Sequence, residues 1–330
     1  MRVLAAPDKF RGSASATDAA HAIAVGAERL GRTCRELPLA DGGEGTLEAL
    51  GGPNRTTAVT GPLGAAVEAE WRLEGDGAVI EMSRASGLSL LGGAEHNDPL
   101  AATTRGTGEL IAAALDAGAT RILVGVGGSA TTDGGLGAID ALGRRPFSER
   151  GATVEIACDV QALFVDAART FGPQKGASEA DIAVLTERLE GLADEYRREL
   201  GADISSLPGA GAAGGLAGGL AALGARLAPG LDLVAAAVGL DSALEEADVV
   251  ITGEGLLDQT SFDGKVVGGV LDRAEAAGTR AAVVVGEARV SVPHGVPIVV
   301  LVDRFGEERS WQDAPGCIAD ASEELLAGLG

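Results

Sequence analysis

A strand–helix–strand pattern occurs at both ends of the chain and limits the folds that the chain can adopt. The apolar run "RVLAA" (2–6) precedes an amphipathic segment from Thr17 to Leu30, and "CRELPLA" (34–40) follows that segment. Three further apolar runs, separated by a loop and a helical segment, lie at 247–252, 280–286 and 297–303. Strands that alternate with helices form parallel sheets. The pattern therefore predicts one doubly wound α/β domain built from the two ends of the chain.

The middle of the chain has a different pattern, which predicts an inserted domain. Three alternating runs, typical of antiparallel hairpin strands, lie at 55–61, 65–73 and 77–82. Helical and strand-like segments then alternate as far as a Gly/Ala-rich stretch at 208–228. We expect residues 1–60 and 240–330 to form the doubly wound domain. Residues 61–239 should form a second α/β domain inserted into it.

Composition excludes several classes of partner. The formal net charge of −22 disfavours nucleic acid and anionic membrane surfaces, because phosphate groups would be repelled. No apolar run approaches the ~18 residues that a membrane-spanning helix requires. The three cysteines, Cys34, Cys158 and Cys317, are far apart and show no CxxC spacing, which argues against a disulfide framework or a zinc site. These features predict a soluble cytoplasmic protein.

Three turns that follow predicted strands share a composition suited to binding an anion. They are "DKFRGSASA" (8–16), "GGSATTDGG" (127–135) and "GEGLLDQTSFDGK" (253–265). In parallel α/β sheets such turns lie at the carboxyl ends of the strands, where ligands bind. Glycine permits close approach of the backbone, and Ser or Thr adds a hydroxyl donor. One such turn alone would be an ordinary tight connection, but three together favour a binding site.

Lysine usage points to phosphate chemistry. Of the 26 Lys and Arg residues only three are Lys, namely Lys9, Lys175 and Lys265, and each lies in a glycine-containing polar segment. A lysine ammonium is a compact charge on a flexible stem, whereas the planar fork of arginine fixes the geometry of approach. Chance placement in loops is the alternative explanation. Together with nearby carboxylates, the pattern favours phosphoryl transfer.

Carboxylates in such a site can hold Mg²⁺ or accept the proton of the attacking hydroxyl. The candidates at or near predicted strand ends are Asp8, Asp41, Glu44, Asp133, Asp159, Glu254 and Asp258. Asp159 follows the apolar strand "VEIAC", so partial desolvation could prepare it to act as a base. A capping or turn role for Asp159 is an equally good interpretation.

The segment "GAGAAG" (209–214) matches the dinucleotide-binding pattern GxGxxG, and Asp232 lies about 20 residues further on. It would support an NAD(P)-dependent oxidoreductase. However, Pro208 rather than a strand precedes it, which favours a closely packed helix start instead.

Six segments in register are similar to the bacterial glycerate kinase family. They are "APDKFRGSASATDAAHAIAVG", "PLADGGEGTLEAL", "TTRGTGELIAAALDAGATRILVGVGGSATTDGG", "IACDV", "FGPQKGAS" and "VITGEGLLDQTSFDGKVVGGV". The resemblance extends from residue 1 to about 290. It implies a flavodoxin-like domain with a second α/β domain inserted. It also implies transfer of the ATP γ-phosphate to D-glycerate with Mg²⁺, most often giving 2-phosphoglycerate.

The motifs and the resemblance together define a set of candidate site residues. Catalytic roles are expected for Asp159, Lys9, Lys265 and Asp133. Substrate or phosphate binding is expected for Asp8, Arg11, Ser13, Asp41, Glu44, Arg105, Ser129, Thr131, Thr132, Lys175, Glu254 and Asp258. The Mg²⁺ ligands are expected to be Asp41, Glu44 and Glu254. The expected partners are glycerate and ATP, and a homodimer is left open.

The chain also departs from the family pattern. Leu256 stands where the family usually has Arg, and the segment "QALFVDAART" (161–170) is shorter than usual. These departures leave two alternatives: a kinase for another small hydroxy acid, and a sensor that binds a metabolite with weakened turnover.

Overall fold

The computed structural model describes residues 1–10 and 12–329, and the chain divides into two compact units. The terminal unit comprises Met1–Asp41, Glu48–Gly51 and the residues from Leu231 onward. The inserted unit comprises Gly42–Leu47 and Gly52–Gly230. The domain boundaries that the sequence suggests, near residues 60 and 240, stay predictions. No helix within the described ranges is long and apolar enough to cross a bilayer.

The strands, in chain order, are β1 (Arg2–Ala5), β2 (Thr33–Glu36), β3 (Arg55–Thr60), β4 (Ala66–Glu74), β5 (Gly77–Glu81), β6 (Arg121–Gly125), β7 (Thr153–Ala157), β8 (Arg226–Ala228), β9 (Val249–Leu257), β10 (Arg280–Ala288) and β11 (Ile298–Val300). The α-helices are α1 (Ala16–Arg29), α2 (Thr46–Ala49), α3 (Ser83–Ser86), α4 (Arg105–Asp116), α5 (Leu136–Ala141), α6 (Ala167–Phe171), α7 (Glu179–Glu199), α8 (Leu216–Ala222), α9 (Gly230–Val238), α10 (Leu240–Glu246), α11 (Val266–Ala277), α12 (Leu301–Phe305), α13 (Glu307–Gln312) and α14 (Ala314–Gly328).

The terminal unit is built on a parallel sheet with the strand order β11–β10–β9–β1–β2. Numbered by their occurrence within this unit, the strands run 2-1-3-4-5, which is the flavodoxin-like order. Alternate residues of β1 enter different cores, because successive side chains of a strand point to opposite faces. Val3 and Ala5 pack with α1 and α14, whereas Leu4 packs with α10 and α11. The predicted doubly wound, flavodoxin-like sheet is confirmed.

The inserted unit contains a mixed sheet with the order β3–β4–β5–β6–β7–β8. The pairs β3–β4 and β4–β5 are antiparallel, and the remaining pairs are parallel. One large apolar core lies against it, and α4, α5, α7 and α8 all contribute buried side chains to that core. The prediction of a second α/β domain that begins with antiparallel hairpins is confirmed.

One local expectation is confirmed and two are wrong. Ser15 and Asp18 form the expected capping box at the start of α1. The segment 253–257 is not a loop, because it continues β9 and pairs with β10, with Leu257 opposite Ala288. The run at 297–303 is a strand only as far as Val300, after which α12 begins. Hydrophobicity alone could not separate the two elements, since both are apolar.

Candidate functional site

A cavity of about 390 Å³ lies in the terminal unit, at the carboxyl ends of β1 and β9. The strand order reverses between these two strands, and ligands of doubly wound sheets bind at that switch point. Seven of the expected site residues line this cavity: Asp8, Lys9, Ser13, Asp41, Glu254, Asp258 and Lys265. Arg11 lies outside the described residues. The first and third of the turns predicted from the sequence are therefore brought together at one site.

The chain continues to pair with β9 after β1 ends, and this pairing positions Asp8 and Lys9. The amide of Asp8 donates to the carbonyl of Gly253 at 2.8 Å, and the amide of Gly255 donates to the carbonyl of Lys9 at 3.3 Å. The ammonium of Lys9 lies 3.8 Å from Asp8 Oδ1. Backbone hydrogen bonds to β9 thus hold Asp8 and Lys9 at the carboxyl end of the sheet.

Burial raises the pKa of the Asp8 carboxyl to about 6. The neighbouring ammonium of Lys9 opposes this rise, the carboxylate of Asp41 adds to it, and Lys265 opposes it more weakly. Asp8 is therefore a carboxyl group that burial makes costly to ionise, and nearby lysines partly offset that cost.

Burial also raises the pKa of Glu254, to about 7. A hydrogen bond with Ser261 lowers this pKa, and the negative charge of Asp8 raises it again. Glu254 Oε1 is buried and has no hydrogen-bond partner. A buried acceptor without a partner is costly, so this oxygen is suited to receive a proton or a cation.

The part of the third predicted turn from Asp258 to Lys265 also lines the cavity. Asp258 Oδ1 accepts hydrogen bonds from the amide and hydroxyl of Thr260, at 2.8 and 2.6 Å, which lower the pKa of Asp258. The amide of Asp258 donates to the hydroxyl of Ser261 at 3.0 Å. Lys265 is the N-cap residue of α11. The turn thus keeps the carboxylate of Asp258 ionised and places Lys265 at the start of α11.

Within the described ranges, no three His, Cys, Asp or Glu side chains are placed to hold a metal ion. Of the expected ligands, Asp41 and Glu254 line the cavity of the terminal unit, and Glu44 belongs to the inserted unit, so this set of three stays a prediction. Mg²⁺ commonly takes only one or two protein carboxylates and completes its shell with water and phosphate oxygens. Asp8 and the unpartnered oxygen of Glu254 fit that kind of partial coordination.

The turn 127–135 in the inserted unit is organised around Asp133. Its Oδ2 accepts from the amide and hydroxyl of Thr104 at 2.8 and 2.9 Å and from the amide of Gly137 at 3.2 Å. Its Oδ1 accepts from the amide of Gly135 at 3.1 Å. With so many donors at its carboxylate, Asp133 is better placed to hold the turn in shape than to accept a proton from a substrate.

Thr131 and Thr132 are fully buried, so their hydroxyls are not exposed on the surface of the turn. The Thr131 hydroxyl donates to the carbonyl of Ala213 at 3.5 Å, and the Thr132 hydroxyl has no partner. Ser129 is half-buried, and Gly128 has φ +71°. A side chain larger than hydrogen at position 128 would therefore strain the backbone.

Lys175 is also buried, although the sequence places it in a polar loop. Only 2% of it is exposed, and its ammonium donates to the carbonyl of Thr131 at 2.7 Å. Burial lowers the pKa of Lys175 to about 7, and the charge of Asp133 opposes this shift. Lys175 braces the turn 127–135 from within the inserted unit.

The remaining expected site residues of the inserted unit are more accessible. Asp159 follows β7, is half-buried, and accepts a hydrogen bond from the amide of Gly230 at 2.7 Å. Arg105 is exposed and forms an ion pair with Glu109 at 2.9 Å. Glu44 is exposed. The amides of Gly45 and Leu47, which follow it, donate to the buried carboxylate of Glu81. The sequence did not single out Glu81.

The segment "GAGAAG" packs tightly inside the inserted unit. A Cβ at Gly214 would lie 2.0 Å from the carbonyl oxygen of Thr131. Asp232, the expected ribose-binding acid of the alternative, is paired with Arg273 at 2.5 Å. This close packing agrees with the interpretation of the segment as a packed helix start.

The sequence-based reasoning missed several residues that line the cavity of the terminal unit: Phe10, Ser261, Glu287, Arg289, Leu301 and Trp311. Those at 301–311 follow the last predicted strand and carry no motif. Arg289 and Glu287 lie at the carboxyl end of β10, a position that could have marked them.

The fold and this site define an α/β protein with a charged cavity at the switch point of a flavodoxin-like sheet. The family model described as "Glycerate kinase family" matches residues 3–155 and 148–297. The chain belongs to the glycerate kinase family.

Named relatives agree with this assignment. The chain is 42% identical over 314 residues to "Glycerate 2-kinase" of Escherichia coli (strain K12), covering 83% of this chain and 82% of that protein. It is also 42% identical over 314 residues to "Glycerate kinase" of Bacillus subtilis (strain 168), with the same shares covered. The crystal structure of putative glycerate kinase 2 from Salmonella typhimurium LT2 superposes with a TM-score of 0.84 at 35% identity, covering 100% of this chain and 99% of that one.

Proposed function

We propose that this chain is a kinase that transfers the γ-phosphate of ATP to a hydroxyl of D-glycerate, giving 2-phosphoglycerate, with Mg²⁺. The observation that carries the proposal is the cavity in which lysines and buried carboxylates meet, in a member of the glycerate kinase family. Glycerate and ATP are the expected small-molecule partners, and the cytoplasm is the expected compartment. The number of subunits stays open.

The charge of the cavity supports a metal–nucleotide complex. Its described lining residues carry three cationic side chains, Lys9, Lys265 and Arg289. They also include five carboxylates: Asp8, Asp41, Glu254, Asp258 and Glu287. A bare polyphosphate would meet more negative than positive charge there. Mg²⁺, when bound, would neutralise part of the phosphate charge.

We assign roles to the side chains on this basis. Asp8 and Glu254 would hold the metal, for which both carboxyls must be ionised. Lys9 and Lys265 bind phosphoryl oxygens and stabilise the charge that spreads over them during transfer. Asp159 accepts the proton of the glycerate hydroxyl. The hydroxyl oxygen forms the new bond to phosphorus, and the bond between that phosphorus and the β–γ bridging oxygen breaks, releasing ADP.

Two alternatives stay in view because Leu256 and the segment 161–170 depart from the family pattern. One is a kinase for another small hydroxy acid, and the other is a metabolite sensor with weak turnover. The NAD(P)-dependent oxidoreductase is less favoured, because "GAGAAG" is closely packed against the turn 127–135.

The proposal is tested by measuring ADP release from Mg·ATP in the presence of D-glycerate, L-glycerate, glycolate or lactate. We expect ADP release that depends on D-glycerate and is lost in Lys265→Met. Arg121→Gln, which removes an exposed cation paired with Asp76, should behave like the parent. Preference for another acid would support the first alternative, and binding without turnover would support the sensor. Absence of both binding and turnover would refute the proposal.

A further inference from the structure

The cavity of the terminal unit has one wall that the proposed chemistry does not use. The residues of α12 and α13 that line it are Leu301, Val302, Ser310 and Trp311. The charged groups come instead from β9, from β10, and from the segments that follow β1, β2, β9 and β10. Glycerate is small and polar and has no aromatic surface. An apolar wall with an aromatic ring therefore suits the other substrate, a nucleotide.

Trp311 stands out on this wall because its ring is exposed and lies next to the segment that follows β1. The chain has two tryptophans, and Trp311 is 51% exposed. An ideal Cβ built on Gly12 would lie 3.2 Å from Cζ3 of the indole, so the ring lies close to the backbone of the segment that follows β1. An exposed indole at the edge of a cavity is a large apolar surface that a flat ligand can cover.

The backbone around Trp311 is anchored on both sides. The hydroxyl of Ser310 donates to the carbonyl of Gly306 at 2.8 Å. The amide of Asp313 donates to the carbonyl of Arg309 at 2.9 Å, and Asp313 Oδ1 accepts from the amide of Gly316 at 3.1 Å. The ring is therefore carried by an ordered segment, which reduces the entropy lost when a ligand binds to it.

We infer that the indole of Trp311 is the stacking surface for the base of the donor nucleotide. The triphosphate then extends toward Lys9 and Lys265, and Leu301 and Val302 cover the edge of the base. The volume of about 390 Å³ lies in the range of sites that bind small molecules. This inference rests on the proposed function. Trp311 lies beyond residue 297, where the family match ends.

The second tryptophan makes a direct test practical. Trp71 lies in the inserted unit, is only 3% exposed, and donates its indole N–H to the hydroxyl of Thr57 at 2.9 Å. Its fluorescence serves as the internal reference. Titration of the parent protein with Mg·ATP should quench the emission of the exposed indole, and this quenching should be absent in Trp311→Phe.

Affinity provides the second measurement. Trp311→Leu should weaken binding of Mg·ATP roughly tenfold. The free energy of stacking a base on an aromatic ring corresponds to a change in affinity of about that size. Trp311→Phe should keep most of the affinity, since it retains a ring. Arg304→Gln is the matched control: Arg304 lies on α12, is paired with Glu324, and does not line the cavity, so this variant should bind Mg·ATP like the parent.

The outcomes separate this inference from the proposed function. Equal binding of Mg·ATP by the parent and Trp311→Leu would overturn the inference while the kinase proposal stands. An equal loss of affinity for Mg·ATP and for Mg²⁺ tripolyphosphate would also overturn it, because the defect would then not concern the base. A parent protein that binds no nucleotide would refute both.

Discussion

The ammonium nitrogen of Lys175 lies 2.7 Å from the carbonyl oxygen of Thr131 and donates a hydrogen bond to it. This contact ties the segment "FGPQKGAS" to the turn 127–135 inside the inserted unit. A lysine that is 2% exposed cannot act as an ordinary solvated loop charge. The burial of Lys175 should affect the free energy of unfolding.

Lys175 should make the stability of the inserted unit depend on pH. Burial lowers the pKa of Lys175 from 10.5 to about 7 in the folded protein. Between pH 7 and 10.5 the unfolded chain therefore binds more protons, and stability rises with pH, by at most ~1.4 kcal/mol per pH unit. We expect the free energy of unfolding of the parent to increase relative to Lys175→Met between pH 7 and 9. Urea unfolding in a Trp311→Phe background, monitored by Trp71, measures it.

Arg121→Gln is the matched control for this measurement, because Arg121 is an exposed cation of the same unit. Its stability difference from the parent should not change with pH. A difference between the parent and Lys175→Met that is constant over this range would contradict the account.

The lysines of the cavity should not be replaceable by arginine. Lys9→Arg and Lys265→Arg keep the net charge but change the length and the donor geometry of the side chain. We expect kcat/KM to fall more than ~10-fold in both, with Lys265 the more sensitive, which corresponds to about 1.4 kcal/mol of transition-state stabilisation. Lys175→Arg should also lose activity, but because a larger group must enter a buried position. Steady-state kinetics on the three variants measure these losses, and parent-like values for Lys9→Arg and Lys265→Arg would show that these charges are merely solvated.

Glu254 should destabilise the protein as the pH rises. Burial raises the pKa of Glu254 from 4.5 to about 7, so the folded state holds a proton that the unfolded chain releases near pH 4.5. The stability contribution is fully present below pH 4.5 and is lost as the pH rises to about 7. We therefore expect Glu254→Gln to be more stable than the parent at pH 8, on the order of 2 kcal/mol, and close to it at pH 4.5.

Thermal unfolding at both pH values tests this expectation, with Glu246→Gln as an exposed control from the same unit.

The carboxyls of Asp8 and Glu254 should make the affinity for Mg·ATP depend on pH. Because Asp8 and Glu254 must ionise to hold a cation, the affinity for Mg·ATP should increase from pH 5.5 to 8. Affinity that is independent of pH over this range would exclude them as metal ligands.

Asp159 remains the proposed general base. Asp159→Asn keeps the shape of the side chain, and its amide oxygen can still accept from the amide of Gly230. We expect kcat to fall ~10²–10⁴-fold with a modest change in the KM for glycerate. Asp76→Asn, an exposed carboxylate near β5, is the control and should leave kcat unchanged. Near-normal turnover of Asp159→Asn would transfer the role of the base to another carboxylate, with Asp41 considered next.

The sequence predicted the architecture because the periodicity of the strands and the order of the elements are local properties. Ser15 and Asp18 form a capping box that marks the start of α1, and the apolar runs at β1 and β9 indicate a parallel sheet. The sequence also predicted the charged side of the cavity, since Asp8, Lys9 and Lys265 follow strand ends.

Burial and long-range contacts could not be predicted in the same way. Nothing in "FGPQKGAS" shows that Lys175 is enclosed, because its surroundings come from the distant residues Thr131 and Asp133. The approach of Trp311 to Gly12 joins segments that are about three hundred positions apart. Such contacts depend on the tertiary fold, which overrides the local polarity of the sequence.

In the proposed reaction phosphate passes from ATP to glycerate, and phosphorus NMR of the reaction mixture follows that transfer atom by atom. With Mg·ATP and D-glycerate, we expect the signals of ADP and of 2-phosphoglycerate to grow in equal amounts. Equal growth of ADP and 3-phosphoglycerate would keep the kinase and correct the position of transfer. Inorganic phosphate as the only new product besides ADP, or an unchanged spectrum, would contradict the account.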